Sequence, residues 1–238
     1  MNLRNIPVVI LAGGMGTRLS SIIDDRPKVM AEIRGKPFLN YILDWLKGKG
    51  LRDIYISVGF MKNKIISYYQ NGETFGLNIK YIKENIPLGT GGAVIKAIKY
   101  IESEFILILN GDSFLDLNLN DFVSDHLKKN ACMTIACIKK EKTDRYGCVT
   151  FNTENKIIGF TEKGDSDQFW INGGIYLLTK SKFNFISEKF PISLEKDIMP
   201  NIIHKNIVNA FTQEGINFID IGTPNSLEYA QSFMLEVK

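Results

Sequence analysis

Histidine occurs only twice among the 238 residues, and cysteine only three times. His126 and His204 stand far apart, and no Cys-x-x-Cys or His-x3-His spacing accompanies them, which leaves little with which to build a zinc centre. Cys132, Cys137 and Cys148 are odd in number and fall in or near apolar stretches. That argues against a disulfide framework and for reduced, packed thiols in the cytoplasm. Long apolar runs are missing too. No segment approaches the length of a membrane span, and the amino-terminal stretch, with one arginine and a short apolar run, falls short of a signal peptide, so no membrane partner is expected. Nor is there an excess of one charge: the formal net charge is +3. Pairs such as Lys128–Lys129 and Lys139–Lys140 read as solvated faces, and no DNA or RNA partner is expected. Without low-complexity tracts, long linkers or internal repeats, the chain is expected to form one α/β domain with a single sizeable core.

Against these absences, the run LAGGMGTRLSSIIDDRPK, Leu11 to Lys28, is dense in chemistry. Val8 to Leu11 reads as a short buried strand with Pro7 just before it, and Leu11 and Ala12 lead into Gly13, Gly14 and Gly16. Glycine lets the backbone approach a ligand closely, so successive N–H groups can converge on phosphate oxygens. Arg18 and Lys28 supply the countercharge. A bare Gly-Gly-x-Gly most often only turns the chain. Thr17, Arg18, Leu19, Pro27 and Lys28, arriving in order, turn it into a phosphate cradle. Neither the dinucleotide fingerprint GxGxxG nor the P-loop GKS or GKT is present, so the cradle is of another kind.

The run resembles the signature of the sugar-1-phosphate nucleotidylyltransferases, GGxGTRL followed at a short distance by PK. Four further blocks continue the resemblance in the family's order, from Pro7 to about Leu235: ENIPLGTGGA, LNGDS, FTEKG with WINGGIY, and FIDIGTP. The resemblance implies a Rossmann-like three-layer α/β fold with a mixed, mainly parallel central sheet. The nucleotide half is expected at about 1–115 and the sugar-phosphate half at about 116–238. It also implies condensation of a nucleoside triphosphate with a sugar 1-phosphate, releasing pyrophosphate. Leu11, Ala12, Gly13, Gly14, Gly16, Thr17, Glu84, Pro87, Gly89 and Thr90 would hold the nucleotide. Gly147, Glu162, Lys163 and Asn172 would hold the sugar phosphate.

Strand and helix patterns alternate through the first half, with strands near 7–11, 53–58, 78–83 and 105–110 and helices near 38–49, 62–70 and 91–101. This is the rhythm of a parallel sheet, whose ligands sit at the carboxyl ends of the strands. The second half reads as short strands near 131–138, 147–152, 156–161, 171–178, 207–212 and 217–220. A hairpin turn is expected at Asn152 to Asn155, and a last helix at 225–235.

Asp112 and Asp220 each end an apolar strand. Either alone reads as a cap; beside the cradle, the two read as ligands of Mg2+, which takes one or two carboxylates and completes its shell with phosphates and water. A phosphate monoester is already largely ionised near neutral pH and needs no general base, in keeping with the scarcity of histidine. Catalysis is then positioning and charge stabilisation. Arg18 would hold the departing pyrophosphate, Lys28 would neutralise charge at the α-phosphate, and Lys163 would steer the sugar phosphate.

Glu84 stands where thymidylyl relatives carry glutamine. A carboxylate only accepts hydrogen bonds, which suits guanine N1–H and its amine, and so GTP; cytosine remains open, as does a surface pairing with Lys80 or Lys83. The resemblance implies a manno-configured heptose 1-phosphate as partner, with mannose 1-phosphate and UTP- or CTP-dependent variants as alternatives. Asn172 could instead be an ordinary strand residue and Gly173–Gly174 a bulge. Met15, Phe38, Tyr41 and Trp45 read as core or wall. Asp165 and Asp167 lie close to where the sugar phosphate would arrive. A non-catalytic nucleotide-sugar sensor is the competing class. A metal-dependent glycosyltransferase would need an Asp-x-Asp motif that Gly111-Asp112-Ser113-Phe114 does not supply. The oligomeric state is open, a homodimer among the choices.

Overall fold

The computed structural model describes residues 2–19, 22–140, 146–162, 170–183 and 189–236. In chain order the strands are β1 (Val8–Ala12), β2 (Glu32–Ile33), β3 (Lys36–Pro37), β4 (Asp53–Val58), β5 (Asn78–Lys83), β6 (Phe105–Asn110) and β7 (Ser113–Leu115). They continue with β8 (Met133–Lys139), β9 (Gly147–Phe151), β10 (Ile157–Glu162), β11 (Trp170–Thr179), β12 (Val208–Thr212) and β13 (Phe218–Asp220). The helices are α1 (Phe38–Gly48), α2 (Lys62–Tyr69), α3 (Gly89–Tyr100), α4 (Leu119–Lys128), α5 (Met199–Lys205) and α6 (Pro224–Glu236), with a π-helical turn at Leu194–Ile198. This is the Rossmann-like α/β architecture with a mixed sheet and flanking helices. Among the described residues no helix is long and apolar enough to cross a membrane.

Two compact units interleave along the chain. One comprises Met1–Pro87, Leu109–Asp116 and Asn217–Lys238; the other comprises Leu88–Ile108 and Leu117–Ile216. In the first, β1, β4 and β5 run parallel, with Ala12 opposite Val58 and Val58 opposite Lys83. Their carboxyl ends are therefore level, and the turns that follow open at one edge, where ligands of such sheets bind. β1 is apolar throughout and almost wholly buried, as a strand covered on both faces must be. Two short antiparallel pairs complete this unit. The hairpin of β2 and β3 turns on Arg34 and Gly35, both with positive φ, and β7 pairs with β13 so that Ser113 faces Asp220.

In the second unit β8 runs antiparallel to β11 and parallel to β12, and β9 and β10 form an antiparallel hairpin. That hairpin turns as expected, with Asn155 N–H donating to the Asn152 carbonyl at 2.9 Å. Helix α4 is a departure from the sequence reading, which has no helix there. Asn118 caps it, accepting from the N–H groups of Asn120 and Asp121, and Leu119, Phe122, Val123 and His126 form its buried stripe. That stripe ends in a histidine, which a hydropathy pattern counts as polar. Inside, His126 Nδ1 meets Thr134 Oγ1 at 2.7 Å and Nε2 meets Thr179 Oγ1 at 2.8 Å. Thr179 gives its own proton to the Ala131 carbonyl, so Nε2 donates and Nδ1 accepts. Burial, and then the nearby Lys182 ammonium, push the imidazole pKa down to about 4, so the ring is neutral. Cys132, Cys137 and Cys148 are buried, as packing residues are.

Candidate active site

Glycines set the geometry of the first unit. A Cβ on Gly111 would come within 2.8 Å of the Leu11 carbonyl, which instead accepts the Gly111 N–H at 3.0 Å. The turn after β6 thus lies directly against the end of β1. A Cβ on Gly13 would run into Glu84 Oε1. That carboxylate is 8% exposed. Its Oε1 accepts from Ser57 Oγ at 2.9 Å, and the residue's own carbonyl accepts from Lys62 Nζ at 3.2 Å. Lys80 sits instead over the Tyr55 ring. Gly14 is exposed, and a Cβ there would meet nothing within 4 Å. Packing within the protein therefore does not require glycine at 14, whereas a ligand approaching the turn would. Gly16 has φ +62, and its carbonyl accepts Leu19 N–H to start a 3-10 turn through Thr17 and Arg18.

The charged groups gather beside this turn. Buried Pro27 fixes the chain ahead of Lys28, whose Cβ lies 3.0 Å from where a Gly16 Cβ would be. Lys28 Nζ donates to Asp112 Oδ2 at 2.5 Å, with the lysine side chain 12% exposed. The Asp112 carbonyl accepts from Ile221 N–H at 2.9 Å, and Asp220 Oδ1 accepts from Gly222 N–H at 2.8 Å. Gly222 is the meeting point. A Cβ there would lie 2.6 Å from Asp220 Oδ1, 3.6 Å from Lys28 Nζ and 3.8 Å from Arg18 Nη1. Two cations and two carboxylates from four separate segments thus converge.

Among the described residues no cluster of three or more histidine, cysteine or acidic side chains could hold a metal by itself. Two carboxylates on neighbouring strand ends fit a hard divalent ion that completes its shell with phosphate oxygens and water, and they do not fit a self-contained protein cage.

The second unit holds another polar group. Asn172 Nδ2 donates to Tyr176 Oη at 2.7 Å, and Asn172 Oδ1 accepts from Gly174 N–H at 3.0 Å. Tyr176 in turn donates to Glu195 Oε1 at 3.2 Å, while Thr90 Oγ1 and Ser193 Oγ donate to Oε2 at 2.8 and 3.0 Å. Gly147 faces Glu162 across the β9–β10 hairpin. A Cβ on Gly89 would collide with the Ile192 carbonyl, and Thr90 Oγ1 accepts from Leu194 N–H at 2.9 Å.

Leu11, Ala12, Gly13, Gly14, Gly16, Thr17, Arg18, Lys28, Glu84, Pro87, Asp112 and Asp220 thus fall in the first unit, and Gly89, Thr90, Gly147, Glu162 and Asn172 in the second. Glu162 is described in its backbone only, and Lys163, Asp165 and Asp167 lie outside the described residues. Phe38 is buried, Tyr41 and Trp45 are half-buried, and Met15 is exposed. Sequence reasoning missed Ser57, a polar residue inside an apolar strand, and the group of Tyr176, Ser193 and Glu195, whose spacing carries no motif.

The model of the nucleotidyl transferase family matches residues 7–237. The D-glycero-α-D-manno-heptose 1-phosphate guanylyltransferase of Campylobacter jejuni subsp. jejuni serotype O:2 is 40% identical over 217 residues, covering 91% of this chain and 94% of that protein. The enzyme of the same name from Aneurinibacillus thermoaerophilus is 36% identical over 228 residues, covering 94% and 96%. Among solved structures, HddC from Yersinia pseudotuberculosis complexed with GMP-PN superimposes with a TM-score of 0.85 at 33% identity, covering 96% of this chain and 99% of that one.

Proposed function

The chain belongs to the nucleotidyl transferase family, and on that premise we propose that it joins GTP to D-glycero-α-D-manno-heptose 1-phosphate, giving the GDP-linked heptose and pyrophosphate. It is a sugar-1-phosphate nucleotidylyltransferase, as its guanylyltransferase relatives are. Convergence of Arg18, Lys28 and Asp220 on Gly222, with Lys28 already paired to Asp112, carries this reading. So much charge beside a glycine turn suits a polyphosphate and little else.

Most of the nucleotide-binding candidates lie in the first unit, Gly89 and Thr90 excepted, and the sugar-phosphate candidates lie in the second. The Gly13–Gly16 turn offers N–H groups to the phosphates, and Arg18 holds the β- and γ-phosphates that leave as pyrophosphate. Lys28 turns from Asp112 toward charge growing at the α-phosphate. Glu84, pressed against Gly13 and held by Ser57, accepts from guanine N1–H and its amine. Gly147, Glu162 and Asn172 orient the sugar hydroxyls, and Lys163 steers the 1-phosphate. The heptose phosphate, whose second ionisation lies near about 6, attacks already deprotonated, so no residue serves as general base. This family generally uses a divalent metal, and Mg2+ held by Asp112, Asp220 and the phosphates would supply further neutralisation of their charge. Buried thiols, odd in number, suit a reducing cytoplasm.

Pyrophosphate release, measured with Mg2+ and five nucleoside triphosphates against hexose and heptose 1-phosphates, tests the assignment. Release with GTP and the manno-heptose 1-phosphate is expected. Turnover with another base or sugar keeps the reaction and overturns the substrates, and nucleotide binding without any turnover overturns catalysis in favour of a sensor.

A further inference from the structure

Asn172 and Tyr176 stand four residues apart on β11, and along a regular strand that is about 13 Å. Their side chains nevertheless touch. Between them the pairing with β8 slips: Asn172 faces Cys137 while Tyr176 faces Ile135, so three residues of β11 oppose one of β8. Gly174, at φ +77, absorbs the excess. This bulge folds the strand enough for Asn172 Nδ2 to reach Tyr176 Oη at 2.7 Å.

The direction of each hydrogen bond is fixed. The Gly174 N–H can only donate, so it claims Asn172 Oδ1. The single phenolic proton of Tyr176 goes to the Glu195 carboxylate, which can only accept. Tyr176 must therefore accept from Asn172, and the Asn172 amide is locked in one of its two flips. Glu195 is held in turn by Thr90 and Ser193, and has no cationic partner at ion-pair distance among the described residues. It sits in the π-helical turn at Leu194–Ile198, a kind of backbone frequently found at functional sites. A half-buried carboxylate satisfied only by hydroxyls is costly for a purely structural link, whereas it is well suited to holding a phenol proton in one direction.

We propose that Glu195 and Tyr176 are positioning residues for sugar-phosphate recognition: the carboxylate polarises the phenol, the phenol fixes the Asn172 amide, and the free N–H and lone pair of that amide are presented to the sugar hydroxyls. This rests on Asn172 as a sugar contact. Without Glu195, the Tyr176 proton can turn toward Asn172, and the Gly174 N–H alone is left to hold the amide, which is then less firmly fixed in the orientation that meets the sugar.

Steady-state kinetics on Tyr176→Phe, Asn172→Ala and the double variant test it. Asn172→Ala is expected to raise KM for the sugar phosphate about tenfold, leaving KM for GTP unchanged, as one hydrogen bond to a neutral group warrants. Tyr176→Phe, which keeps the ring, is expected to raise the same KM about three- to tenfold, and to add nothing in the Asn172→Ala background. Glu195→Gln, which retains an acceptor for the phenol, is expected to recover most of what Glu195→Ala loses. Additive effects in the double variant, or an unchanged KM in Tyr176→Phe, overturn the relay. An unchanged KM in Asn172→Ala overturns the parent assignment of Asn172 itself, which separates the two failures.

Discussion

Gly13 and Glu84 come from different strands, yet each is intelligible only through the other. The carboxylate occupies the space a Gly13 side chain would need, so Gly13→Ala must displace either Glu84 or the turn. The expected outcome is a KM for GTP raised at least about tenfold with the sugar KM unchanged, read by initial rates. Glu84→Gln keeps the shape and exchanges one acceptor for a donor. It is expected to lower kcat/KM for GTP by about ten- to a hundredfold, the range for a hydrogen bond to a charged group, while thymidine and uridine nucleotides lose much less. Lys28→Ala leaves Asp112 without its ammonium and the α-phosphate without its cation. A fall in kcat of about a hundred- to a thousandfold is expected, by analogy with loss of an oxyanion donor. The gathering of Arg18, Lys28, Asp112 and Asp220 was expected from the sequence because a glycine turn, the Pro27–Lys28 pair and two strand ends announce them locally. Glu195 was not. Its partners come from α3, β11 and the segment before it, and no local spacing announces such a meeting.

Helix α4 shows what a pattern of apolar residues leaves out. Its docking ends in His126, wedged between Thr134 and Thr179. The folded protein keeps this ring neutral down to about pH 4, whereas an unfolded chain binds the proton near 6.5. The stabilisation is therefore complete above pH 6.5 and is lost as pH falls through the window from 6.5 to about 4, by up to about 3 kcal/mol. Urea unfolding across that window should show the loss in the native protein, and a much flatter pH dependence in His126→Gln. Strands β1, β4, β5 and β6 were legible to within a residue, β1 and β6 as short apolar runs and β4 and β5 as apolar residues alternating with polar ones. Strands β2 and β3 are two residues each and too short to carry any period. They exist because Arg34 and Gly35 turn, and because Gln231 of α6 holds β2 and the turn, accepting from Arg34 N–H at 2.8 Å and donating to the Glu32 carbonyl at 3.1 Å.

Across the whole molecule the three thiols are buried. Burial raises the Cys132 pKa to about 11 and that of Cys137 further still. Neither forms the reactive thiolate near neutral pH. An aromatic disulfide reagent should therefore label none of the three in the native protein and all three in denaturant, and the melting temperature should be the same with and without reductant. The order of the two units along the chain was beyond a linear reading. Local patterns report neighbours in sequence, and the first unit is assembled from three stretches separated by most of the second.

That interleaving has a consequence for synthesis. The ribosome delivers β7 and Asp112 long before β13 and Asp220, and the larger stretch of the second unit, Leu117–Ile216, emerges in between. Until Asn217 follows, Ser113 has no strand opposite it and the Asp112 carbonyl lacks the Ile221 N–H. A growing chain can therefore display the whole glycine turn and both cations while still missing one carboxylate of the pair. On the proposed reading, catalytic competence would wait for translation of these later residues, and a nascent polypeptide released just short of them would lack the means to turn over.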